Sequence, residues 1–136
     1  MARYVPTEMR QSVANRAVNR CEYCLIGQVS ILRHHVEHIV PLRHGGRTSI
    51  ENLALSCPAC NENKGMCVGS FDFDSDGALT RFFNPRIDNW SEHFRIENAD
   101  IVPLTGEARV TLKILRINDE DRVEERNELL TVGLYG

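Results

Sequence analysis

The chain has 136 residues, a length that fits one globular domain. No apolar run approaches the roughly 18 residues needed to span a membrane, and no low-complexity tract or internal repeat is visible, which argues against membrane-spanning, fibrous and repeat architectures. The net charge of −3 argues against a strongly basic nucleic-acid binder, yet the charge is uneven: residues 1–67 hold eight Lys/Arg and five Asp/Glu (net +3), residues 68–136 hold eight and fourteen (net −6).

In chain order, Thr7 is placed to cap a helix with Glu8 in its first turn. Met9, Val13 and Ala17 recur at helical spacing, and the helix is expected to end near Arg20, where Cys21-Glu22-Tyr23-Cys24 begins. Residues 31–40 alternate, are β-branched at several positions and end at Pro41, which predicts a strand. Arg43 to Ser49 contains Gly45-Gly46 and reads as a loop. Leu53 to Leu55 can form a short returning strand. Pro58 suits the first turn of a helix and Gly65 its end. In the second half, Phe71 to Phe83 reads as a hairpin turning at Ser75-Asp76-Gly77, and Phe94 to Asn98 with Ile101 to Leu104 as another. Thr105 caps a helix with Ala108, Leu112 and Leu115 on one face, and Asp119 caps a final acidic helix ending near Leu130. No linker composition separates the halves, so a single domain over 1–136 is expected, with a core at about 20–66 and an elaboration at about 67–136.

Cys21/Cys24 and Cys57-Pro58-Ala59-Cys60 are two pairs with a two-residue gap. A structural zinc ion takes four ligands in a tetrahedron and favours thiolates. The spacing lets both sulfurs of a tight turn face one ion, and the long interval loops out a whole substructure between the pairs. The competing readings are a redox pair or two disulfides. Because no signal peptide opens the sequence, we expect a reducing, cytoplasmic setting and zinc. Cys67 is expected to be a buried or inert thiol without a role. Asp72-Phe73-Asp74-Ser75-Asp76-Gly77 copies the start of a calcium loop. The acid required at its twelfth position falls on Phe83, so a solvated acidic turn is expected instead.

Between the pairs runs His35-Val36-Glu37-His38, and Asn61 follows the last cysteine. Phosphodiester hydrolysis needs an activated water and a cation that neutralises developing charge. A histidine can take the proton, and a carboxylate with a neutral oxygen ligand can hold the cation. Glu37, His38 and Asn61 supply those groups. On a regular strand Glu37 and His38 point to opposite faces, so either the strand twists or bulges before Pro41 or the substrate lies across its end.

The segment from Glu37-His38-Ile39-Val40-Pro41 through Gly45-Gly46, Glu51-Asn52-Leu53 and Cys57-Pro58-Ala59-Cys60-Asn61 to Lys64-Gly65 resembles the HNH endonuclease family, in the branch with two zinc-binding cysteine pairs. Asn15-Arg16-Ala17, Phe83-Asn84-Pro85-Arg86, Trp90 and His93-Phe94 are similar to stand-alone bacterial members. The resemblance implies an α+β fold with a ββα-metal core and a zinc knuckle, extended by an N-terminal helix and C-terminal hairpins and helices. It implies catalytic residues His38, Glu37, Asn52 and Asn61. His38 would be the general base. Glu37 and Asn61 would ligate a catalytic Mg²⁺ or Mn²⁺, and Asn52 would tie down the loop and orient the base through the backbone. Asn61 stands where the family name has histidine, and Glu37 where many members have aspartate.

Several neighbouring residues are weaker candidates. His35 shares a strand face with Glu37. Arg43, His44 and Arg47 in the loop could bind phosphate, and Lys64, one helical turn from Asn61, could face the scissile strand. Arg86 and His93 could line the cleft, but Trp90, His93 and Phe94 are expected to pack the second half onto the core. The expected function is a metal-dependent endonuclease on DNA, nicking or cutting and leaving 5′-phosphate and 3′-hydroxyl ends. No membrane partner is expected, and a homodimer is left open. The alternatives are a catalytically silent zinc-stabilised binding module and a nuclease acting on RNA.

Overall fold

The structure, a computed structural model, describes residues 4–28 and 33–136. Its contacts divide the chain into two compact units, Met1–Val68 and Gly69–Gly136. Among the described residues no helix is long and apolar enough to cross a membrane.

The first unit opens with α1 (Thr7–Arg16), followed by β1 (His35–His38), β2 (Leu53–Ser56) and α2 (Pro58–Lys64). β1 and β2 are antiparallel in regular register, with His35 opposite Ser56 and His38 opposite Leu53. Because side chains alternate along a strand, Val36 and Leu55 face α1. There Val5, Val13, Leu53 and Leu55 form the buried core, against which Met9, Ala14, Ala17 and Ile50 pack. Arg16 ties α1 to the strands by donating from Nη1 to the Ile50 carbonyl (3.0 Å) and from Nη2 to that of Leu53 (2.6 Å).

Three boundaries differ from expectation. Thr7 is the first helical residue and Pro6 the cap, without a side-chain capping bond. The helix stops at Arg16 because Val18 and Asn19 take φ near +55°, a left-handed conformation that ends helical hydrogen bonding. The strand expected over 31–40 is confined to His35–His38, and residues 31 and 32 lie outside the described residues.

Between the strands the chain makes two short 3-10 turns, Leu42–His44 and Ile50–Asn52. The glycine pair is required by two separate causes. Gly45 has φ of 90°. A side chain on Gly46 would place its first carbon 1.7 Å from the Val40 carbonyl oxygen. Pro58 occupies the first position of α2, and Gly65 follows its end with φ of 51°. Asn61 is the fourth residue of α2 and does not open it. Cys67 is exposed, so of the two expectations, a buried or an inert thiol, burial does not hold.

The second unit contains the hairpins β3 (Gly69–Phe71)–β4 (Leu79–Arg81) and β5 (Phe94–Glu97)–β6 (Asp100–Pro103), the short α3 (Trp90–His93), α4 (Gly106–Ile114) and α5 (Glu120–Thr131). The Thr105 side chain accepts from Ala108 N–H, as the cap reading required. Ala108 and Leu112 of α4, with Leu115 just beyond it, are buried. Phe83 meets Phe94 edge-on at 5.2 Å, and Trp90 tilts on Phe94 at 5.0 Å. His93 is satisfied within this unit: its Nδ1 lies 2.6 Å from Thr105 Oγ1. The acidic turn is anchored by Asp72, whose carboxylate receives Arg109 Nη2 at 2.8 Å and Nε at 3.1 Å. That carboxylate serves an ion pair. The guanidinium holds its pKa below the usual carboxylate range.

Candidate functional site

The four cysteines arrive from two directions. Cys21 and Cys24 lie in a tight loop closed by Cys21 N–H to Ile26 O (2.9 Å) and Leu25 N–H to Cys21 O (2.9 Å), with Leu25 at φ of 67°. Cys57 caps α2 and its sulfur accepts from Cys60 N–H at 3.4 Å. All four sulfurs fall within 4.8 Å of one another and all four residues are buried. Cys24 and Cys57 sulfurs are 3.7 Å apart. A tetrahedron with Zn–S bonds of about 2.3 Å has edges of roughly 3.8 Å, so the arrangement fits one zinc ion.

Burial pushes the Cys21 and Cys60 thiols up, while hydrogen bonds from Cys21, Cys24 and Cys60 pull the Cys57 thiol down. A divalent cation is what allows four buried thiolates to share one space. The first loop is also stitched to the hairpin: Glu22 N–H donates to Leu55 O (2.9 Å) and Leu55 N–H to Glu22 Oε2 (2.8 Å).

A cleft of about 670 Å³ lies along β1, lined in part by His35, Glu37, His38, Arg43 and Asn61. The ladder shows no bulge, and β1 ends at His38. Glu37 and His38, neighbours on β1, both line this one cleft. Asn52 stands behind it. Its Nδ2 donates to the carbonyls of Val40 and Arg47 (both 2.9 Å), its Oδ1 accepts from Val40 N–H (2.9 Å), and its backbone carbonyl accepts from Ile39 N–H (2.8 Å). The Asn52 side chain thus closes the loop, and its backbone carbonyl fixes the peptide directly after His38.

Glu37 is only 8 % exposed. Its Oε1 accepts from the Tyr23 hydroxyl at 2.5 Å and its Oε2 pairs with Lys64 Nζ at 3.0 Å. Burial raises its carboxyl pKa, and Lys64 and Tyr23 offset part of that effect. Lys64 is 1 % exposed and also donates to the carbonyls of Ile39 (2.9 Å) and His38 (3.3 Å). Its ammonium therefore points inward and locks α2 to the end of β1. Each Glu37 oxygen carries one hydrogen-bonding partner here, and a carboxylate oxygen has two lone pairs. Glu37 and Asn61 both line the cleft and carry oxygen donors of the kind a hard cation takes, with Lys64 already countering the carboxylate charge.

His38 is half-buried. Its Nε2 lies 2.8 Å from Thr48 Oγ1. Burial, then the Lys64 charge, holds its pKa below the ordinary value. His35 is exposed on the cleft. Among the loop candidates Arg43 lines the cleft. Arg47 is exposed elsewhere on the loop, and the His44 ring is 2.9 Å from the Met66 carbonyl. Arg86 belongs to the other unit, where its N–H donates to Asn84 Oδ1. Sequence reasoning missed Tyr23 and Thr48. Tyr23 lies between the first two cysteines, where spacing says nothing of a carboxylate fourteen residues later.

The sequence model of the HNH endonuclease family matches residues 21–66. That span begins at the first cysteine and ends just past α2, so it contains both the cysteine cluster and the cleft. Residues 21–66 are an HNH endonuclease domain. Comparisons with curated proteins and with solved structures give no match. The antiparallel β1–β2 pair followed by α2, with the four-cysteine cluster at its base, is the ββα-metal arrangement of that domain. The implied partner of an HNH domain is a nucleic acid.

Proposed function

We propose that the HNH domain hydrolyses phosphodiester bonds in DNA, nicking or cutting, with 5′-phosphate and 3′-hydroxyl products. The observation that carries this reading is the shared cleft. It joins a half-buried histidine of lowered pKa to a carboxylate and an amide, with Asn52 bracing the backbone behind them. His38, neutral near pH 7, takes the proton from the attacking water. Glu37 and Asn61 hold a divalent cation, Mg²⁺ or Mn²⁺. When bound, that cation supplies charge neutralisation at the phosphate and the leaving 3′-oxygen. Arg43 meets the phosphate backbone from the cleft wall. Zinc in the cysteine cluster is scaffold, and it sets the position of Asn61 through Cys60.

One observation favours a second reading, a silent nucleic-acid-binding module: the Glu37 carboxylate is already matched by Lys64. The deciding experiment incubates wild type and His38→Ala with supercoiled plasmid, and separately with RNA, with Mg²⁺ or Mn²⁺. Metal-dependent plasmid cleavage that His38→Ala loses supports the proposal. DNA binding without cleavage by wild type supports the silent module, and cleavage of RNA alone supports a ribonuclease.

A further inference from the structure

The base proposed above has a partner outside the residues that define the motif. Thr48 lies in the loop between β1 and β2, with its hydroxyl oxygen 2.8 Å from His38 Nε2. The hydroxyl is not loosely held. Asn52 Nδ2 binds the carbonyl of Arg47, the residue directly before Thr48, and also that of Val40. Gly46 lies so close to the Val40 carbonyl that no side chain fits there. Threonine itself is stiff at χ1. Loop closure and side-chain rigidity together present one oxygen to one ring nitrogen.

A neutral imidazole carries a single N–H, and the nitrogen that bears it is set by the hydrogen bond the other groups make. A hydroxyl can accept from Nε2–H or donate to a bare Nε2. In the second case Nδ1 carries the proton and the ring has no lone pair left for water. In the first case Nε2 is occupied as a donor and Nδ1 is bare. The first arrangement also agrees with the intrinsic preference of neutral histidine for the Nε2–H form.

Resting on the reading of His38 as the base, we propose that Thr48 is its positioning residue: the Thr48 hydroxyl accepts from Nε2–H, fixes that tautomer and aims the bare Nδ1 at the water. Thr48 touches neither substrate nor cation in this role. It acts through the ring.

The test uses the full zinc-loaded chain, ¹⁵N-labelled at histidine and free of nucleic acid, at a pH where the His38 ring is neutral. Two-bond ¹H–¹⁵N correlation reads the tautomer directly. Wild type and Thr48→Ser should show a protonated-type Nε2 and a bare-type Nδ1. Thr48→Val, which keeps the shape and removes the hydroxyl, should show averaged signals. Its plasmid cleavage should fall in kcat by about 10–100-fold, the usual effect of removing a group that orients a functional imidazole, with KM unchanged and Thr48→Ser active. Should Thr48→Val fail to fold, the wild-type and Thr48→Ser spectra still decide the tautomer. An Nδ1–H tautomer in wild type, or unaltered tautomer and kcat in a folded Thr48→Val, would overturn the proposal. Full cleavage by His38→Ala would instead overturn the assignment of the base, whatever the spectra show.

Discussion

At the scale of single residues, the most consequential contact of the HNH domain is between Glu37 and Lys64. Both are buried, and their charged atoms are 3.0 Å apart. Removing one partner of a buried pair leaves the other charge uncompensated, a cost of about 3–5 kcal/mol. Lys64→Met should therefore destabilise the protein by that order, seen as a lower midpoint in chemical denaturation. A surface phosphate-binding lysine would leave the midpoint unchanged. His38 should behave oppositely. It is half-buried at a strand end, so His38→Ala should keep the fold and the metal content while cleavage falls by about 10²–10⁴-fold. Since the proposed base acts unprotonated and the His38 pKa is lowered, wild-type cleavage should rise with pH. The rise should centre below the ordinary histidine value of about 6.5 and be absent from the variant.

At the scale of elements, the loop between β1 and β2 and the acidic turn of the second unit show what their side chains hold. Gly46→Ala would drive a carbon into the Val40 carbonyl. The loop must then open, and the bonds from Asn52 to Val40 and Arg47 must loosen with it. Loss of cleavage in a variant that keeps its zinc would confirm that this loop positions the base. In the second unit, the Asp72 carboxylate has its pKa depressed by Arg109. A depressed folded pKa means stabilisation that is full above the unfolded value of about 3.9 and fades as pH falls through the folded value. The stability gap between wild type and Asp72→Asn should be widest near neutrality and close in acid, as thermal melts across pH would show.

The same elements explain what could be read from sequence. The cysteine spacing, the Gly45-Gly46 loop, the Pro58 start of α2 and the Thr105 cap were all legible, because each is set by local geometry within a few residues. The inward turn of Lys64 was not. Helical spacing says which face a residue shares with Asn61, not whether that face is buried. Tyr23 with Glu37, and Thr48 with His38, depend on how the first knuckle and the loop close on β1. The early stop of α1 was hidden too, since Val18 and Asn19 have no glycine to announce a positive φ. In the second unit Arg126 is 1 % exposed and donates to the Ala99 and Ile117 carbonyls and to Asn118 Oδ1. Nothing in an acidic, polar helix marks the one arginine that turns inward.

At the scale of the whole molecule, the proposed mechanism divides the work between two metals of different character. The cysteine cluster is soft, closed and buried, and structural zinc in small domains is worth roughly 10–16 kcal/mol, comparable to the stability of a domain. Cys57→Ser should therefore lose zinc and unfold the first unit. A folded, zinc-free wild type would contradict that role. The cleft offers oxygen donors with Lys64 beside them, so the cation proposed there would be held weakly until phosphate oxygens complete the shell. The most direct measurement is a brief EDTA treatment of the zinc-loaded protein with plasmid present, following cleavage and zinc content together, and then adding Mg²⁺ or Mn²⁺. The account predicts that cleavage stops while zinc and fold are retained, and that the added ion restores it. Undiminished cleavage with no divalent ion beyond the retained zinc would contradict it.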